Sequence, residues 1–81
     1  MARAPLTSEI LAEMVANVMS VAVSPGDAVE PGDTVVLLES MKMEIPVLSE
    51  HAGTVAAVRV SAGDVVQEGT VLVSLDLATS V

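Results

Sequence analysis

Lys42 is the single lysine of the chain, and it stands between two methionines and two glutamates in Glu39-Ser40-Met41-Lys42-Met43-Glu44. A primary amine on a four-carbon stem can form an amide with an activated carboxylate, provided that it attacks in its neutral form. An alkylammonium must first give up its proton to react in this way. No histidine or evident apolar pocket adjoins it in this segment, so activation must come from a partner enzyme. Glu39 and Glu44, if close, favour the charged amine; that suits docking and opposes spontaneous attack. Ordinarily a lysine in a turn only solvates the chain, and methionines fill gaps in a core. Against the ordinary reading stand the uniqueness of this lysine in an acidic chain, its place near the joint of an internal repeat, and the soft apolar side chains on both sides of it.

Other chemistries find less support. His51 has no catalytic partner in its neighbourhood of the sequence and reads as a surface-loop residue, and neither it nor the dispersed carboxylates have metal-site spacing. Neither catalytic residues nor a metal site are expected. With eleven acidic residues against three basic ones, the formal net charge is -8, and there is no Phe, Tyr or Trp. Such a chain repels phosphate backbones and anionic membranes and lacks the rings that stack on bases. The absence of cysteine agrees with a reducing cytoplasm, the expected location. No run approaches the roughly 18 apolar residues of a membrane-spanning helix.

The elements that must position Lys42 are legible through the repeat. Shifted by 37 residues, Val18 to Glu39 overlies Val55 to Asp76 with ten of 22 positions identical. Gly26, Gly32, Gly63 and Gly69 recur at matching offsets beside turn-forming Asp27 and Asp64, and glycine in such turns supplies backbone conformations that a side chain resists. Between the turns Val29 and Val66 act as apolar plugs. Met19, Val21 and Val23, with Ala56, Val58 and Val60 in the second copy, alternate as the buried face of a strand would. The valine-rich run Thr34 to Leu38 is apolar on both faces and reads as a central strand. Ser8 to Val15 could form a capped helix, but the repeat lays it over a segment containing Pro46, which favours an extended strand. Pro46 itself indicates an edge position or a strand start, and Arg59 should point outward.

If the run ending at Glu39 pairs with Glu44 to Leu48, Met41 and Lys42 occupy the turn of a hairpin. Such a turn normally prefers Asn-Gly or Asp-Gly. Met-Lys departs from that preference, and departures of this kind tend to carry function. Two similar halves of a few short strands, neither able to bury its apolar face alone, imply a compact all-β sandwich or flattened barrel. The expected organisation is an N-terminal arm over 1-8 that includes part of the first strand, one domain over 9-76, and a fraying tail over 77-81.

Taken together, Glu39-Ser40-Met41-Lys42-Met43-Glu44, the doubled Gly-Asp framework, and Gly53 at the appropriate distance after the lysine resemble the biotinyl, or biotin carboxyl carrier, domain family. Within it the chain looks like the short free-standing biotinylated proteins of actinomycetes. The resemblance covers roughly residues 9 to 76 and implies a flattened β barrel-sandwich of the biotinyl/lipoyl-domain type with pseudo-twofold symmetry, its attachment lysine on a hairpin turn. It further implies that a biotin protein ligase joins biotin to the Lys42 amine through an amide, with Met41 and Met43 as flanking recognition residues and Glu39, Ser40 and Glu44 as ligase or partner contacts. Gly26, Gly32, Gly53, Gly63 and Gly69 become structural turns. A biotin carboxylase then loads the carrier and a carboxyltransferase unloads it onto an acyl-CoA or 2-oxo acid; the carrier itself, expected to be a monomer, performs no catalysis. The departures are Ser40 for the commoner alanine, Glu13-Met14-Val15-Ala16 where the family often has Pro-Met-Pro-Gly, Asn17 for Thr, and Ile45-Pro46 for a polar pair. Two rival readings share the scaffold. A lipoyl carrier typically has Asp before its lysine and Ala or a similar residue after it, unlike this chain, and an unmodified interaction domain would reduce Met41 and Met43 to an apolar contact patch.

Overall fold

The computed structural model describes residues 6–77. Eight strands succeed one another along the chain: β1 Thr7–Leu11, β2 Ala16–Val21, β3 Ala28–Val29, β4 Thr34–Ser40, β5 Met43–Leu48, β6 Gly53–Val58, β7 Val65–Val66 and β8 Val71–Leu77. They form two four-stranded sheets of order β1-β8-β6-β3 and β5-β4-β2-β7, in which every pairing is antiparallel. The result is an all-β two-sheet sandwich. Residues 1–5 and 78–81, hence most of the expected arm and tail, lie outside the described residues. Leu77 belongs to β8, pairing with Gly53 and donating its N–H to Leu6 O at 2.9 Å, so the strand runs one residue past the boundary expected from sequence.

The repeat is built into the topology. Adding 37 to the bounds of β2, β3 and β4 gives those of β6, β7 and β8, and β1 falls on β5. Under the same shift the strand order of one sheet becomes that of the other. Each sheet therefore draws strands from both halves. Hydrogen bonds follow suit: Gly26 N–H donates to Val55 O and Gly63 N–H to Val18 O, while Val18 N–H reaches Asp64 O and Val55 N–H reaches Asp27 O, all at 2.8 Å.

Local chemistry explains the turns. In Ser24 to Asp27 the Asp27 carboxylate accepts from Ser24 N–H at 2.8 Å, and Gly26 adopts a φ of 94°, where a side chain would be strained. The same arrangement recurs with Asp64 accepting from Ser61 N–H and Asp33 from Glu30 N–H; in the fourth turn Thr70 Oγ1 takes the place of the carboxylate and accepts from Gln67 N–H. The core is aliphatic, with Val35, Val36, Leu38, Leu72, Val73 and Leu75 at its centre and the plugs Val29 and Val66 at its ends, all buried. As expected, β4 is central in its sheet, β5 is an edge strand carrying Pro46, and Arg59 is exposed.

Two expectations need correction. Met19 and Ala56 do not face the core; Met19 is 40% exposed. A bulge explains both. The register slips between Val18 and Ser20 on β2 and between Val55 and Ala57 on β6, so the extra residue is turned outward and the inward parity passes from Val18 to Val21. The strand expected through Ser8 to Val15 forms only as far as Leu11. Beyond it Ala12 leaves the ladder and pins the turn, donating to Thr70 O and accepting from Gly69 N–H, both at 2.8 Å.

Candidate functional site

Antiparallel pairing of β4 with β5 puts Leu37 opposite Pro46, Leu38 opposite Ile45, Glu39 opposite Glu44 and Ser40 opposite Met43. Met41 and Lys42 are left as the two-residue turn. Their φ angles are 53° and 65°, and they are the two non-glycine residues with positive φ among the described residues. Positive φ at both central positions is the geometry whose twist matches that of the flanking strands, and for which Asn-Gly would be the easy choice. The chain thus accepts two left-handed residues with full side chains, and in return both project from the end of the hairpin.

Exposure confirms that neither methionine fills a core gap, since Met41 is 91% and Met43 64% exposed. Lys42 is also exposed. Residues opposite one another in a sheet share a face, so Met43 continues the core-facing row of Ile45 and Val47 beyond the end of the covered core. Glu39 and Glu44 lie on the other face, directly opposite each other and one rung below Ser40 and Met43. The same row continues through Asn17, opposite Glu39, to Val65, opposite Asn17. Sequence reasoning did not bring Asn17 and Val65 to the hairpin. Their separation along the chain hides it, although the strand pairing implied by the repeat contains the information.

The glycines divide into two kinds. Gly26, Gly32, Gly63 and Gly69 occupy turns at φ between 90° and 95°. Gly53, expected in a turn, instead opens β6. A Cβ there would collide with the Asp76 carbonyl oxygen and lie 3.2 Å from Leu77 Cα, so glycine is required by close approach of backbone. His51 is exposed, and its backbone C=O accepts from the buried Ser49 hydroxyl at 2.7 Å, an ordinary loop bond. No group of His and carboxylate side chains among the described residues could hold a metal ion. A groove of about 1100 Å³ runs between β1 and β5 but includes none of residues 39–44. The Lys42 amine, at the exposed tip, therefore stands apart from this groove.

Comparison with known proteins agrees with this geometry. The biotin-lipoyl family model, described as biotin-requiring enzyme, matches residues 3–75. The chain belongs to this family. Over 43 residues, 53% of its length, it is 58% identical to biotinylated protein TB7.3 of Mycobacterium tuberculosis. That match spans 61% of the relative. Among solved structures, that of a single-chain, multi-domain long-chain acyl-CoA carboxylase superposes with a TM-score of 0.84 at 28% identity, over 99% of this chain and 8% of the larger one. The lipoyl domain of the 2-oxoglutarate dehydrogenase complex of Azotobacter vinelandii gives a TM-score of 0.64 at 29% identity, over 80% of each chain. The chain thus shares its fold with part of a carboxylase and with a lipoyl domain.

Proposed function

We propose that the chain is a biotin carrier in which Lys42 receives biotin from a biotin protein ligase and carries a carboxyl group from a biotin carboxylase to a carboxyltransferase. The observation that supports this best is the hairpin tip, where an exposed lysine between two exposed methionines is held in a turn that its own residues disfavour. The residues fit the group: the amine at the tip is exposed and open to acylation, and among the described residues nothing encloses it, as a swinging arm requires. When bound, biotin supplies a ureido ring able to hold a carboxyl group for transfer. The chain's part is to present the amine, to offer Met41, Met43, Ser40 and the Glu39–Glu44 pair to the ligase, and to keep the arm clear of the body. Catalysis belongs to the partners, and the acceptor is an acyl-CoA or a 2-oxo acid.

In this reading the domain spans residues 9–76 as a flattened barrel-sandwich with a pseudo-twofold axis relating its halves, supported by the reciprocal bonds at Gly26 and Gly63. It works in the cytoplasm as a monomer visiting larger enzymes. The methionines on both sides of Lys42 favour biotin over lipoate, as does the 58% identity to a biotinylated protein. Coexpression with a biotin ligase and a lipoate ligase, both cofactors being supplied, tests the choice by intact mass. A biotin adduct is expected; a lipoyl adduct would overturn the assignment.

A further inference from the structure

Between the two inner strands of each sheet the halves differ at one rung, which lies at the root of the Lys42 hairpin. In the second half β6 pairs with β8 through both Thr54↔Asp76 and Gly53↔Leu77. The equivalent pairs in the first half, 37 residues earlier, are Asn17↔Glu39 and Ala16 with Ser40. Asn17↔Glu39 forms and the Ala16 rung does not, although Ala16 remains in β2 and pairs with Val66 on its other side. The amino acids differ at the same place. Gly53 has no room for a Cβ, because the Asp76 carbonyl oxygen and Leu77 Cα occupy the space it would take. Ala16 carries a methyl group, 5% exposed, at the position that the repeat sets against Glu39 and Ser40. A contact with backbone cannot be relieved by rotating a side chain, and a Cβ at this position requires the facing strand to give way.

We infer that Ala16 is a positioning residue for the Lys42 hairpin, its methyl group acting as a wedge that frees the hairpin root from β2. Residues 40–43 are then held to the body chiefly through β4 and β5 themselves, and the tip has freedom that a closed rung would remove. Docking on a modifying enzyme must order that segment, at an entropic cost. The consequence for the ligase rests on the function proposed above; the consequence for the hairpin does not.

Ala16→Gly in the full chain removes the wedge. Backbone amide exchange, followed by NMR, should slow at Ser40 to Glu44 by about fivefold relative to the Val55 and Leu75 amides of the same molecule. That ratio cancels any change in global stability. With a biotin protein ligase and saturating biotin and ATP, KM for the variant carrier should fall by a similar factor, roughly fivefold, with kcat unchanged. If the exchange ratio and KM match wild type, the turn alone opens the rung and the inference fails. A wild-type chain that took no biotin would remove the proposed function, while the exchange ratio would still decide the wedge.

Discussion

Met41 and Lys42 adopt the left-handed conformation at φ 53° and 65°, a region that costs an ordinary residue about 1 kcal/mol or more because its Cβ crowds the following carbonyl. Asparagine tolerates it better. Met41→Asn is therefore expected to stabilise the fold by about 1 kcal/mol, read as a raised midpoint in chemical denaturation, while biotin transfer to the neighbouring lysine by the ligase becomes slower. Glu39 and Glu44, directly opposite on the outer face, repeat the theme, since like charges in that relation are unfavourable. At this scale much was legible. A lone lysine between methionines in a turn lacking Asn or Gly marks the tip from sequence alone. Ala16 was visible only as a departure from Pro-Met-Pro-Gly; its physical meaning required the position of the Asp76 carbonyl.

At the scale of elements, the strands divide into those that alternation can find and those that a bulge disguises. Thr34 to Leu38 reads as a central strand because it is apolar on both faces, and Pro46 marks the edge because it removes a ladder donor. Val29 and Val66 are isolated between turn signals and had nowhere to go but the core. Met19 and Ala56 misled because alternation continues smoothly through them, and the slip that turns them outward arises from pairing with β4 and β8, which no local pattern contains. Gly53 was placed in a turn through the family resemblance, whereas its need is for space between strands. The difference can be measured. Gly26→Ala meets nothing within 4 Å and carries only the strain of a φ of 94°, expected to cost about 1 kcal/mol. Gly53→Ala forces β6 away from β8 and should cost more, about 3 kcal/mol. Denaturation midpoints of the two variants check the order, and a smaller loss for Gly53→Ala would contradict the close-approach account.

The whole molecule is one cooperative unit because its halves interlock. Each sheet is completed by strands from the other half, and the buried valines and leucines of both meet in a single core, so neither half can bury its apolar surface alone. The seam between the edge strands β1 and β5 carries the same signature: the twenty residues lining its groove form ten pairs offset by 37. That regularity makes the groove a product of the duplicated architecture and leaves the hairpin tip as the place where the halves diverge in purpose. One copy of the β4-type strand, β8, pairs with β6 through to Leu77; the other, β4, leads into Met41 and Lys42. A duplicated scaffold thus holds a single amine away from its own surface, which is what a carrier serving separate active sites requires. The most direct test is intact-mass analysis after coexpression with an active biotin protein ligase, comparing wild type with Lys42→Arg, which keeps the charge and the tip. One biotin on the wild type and none on the variant is the predicted result; an unmodified wild type, or a variant that still carries biotin, would contradict it.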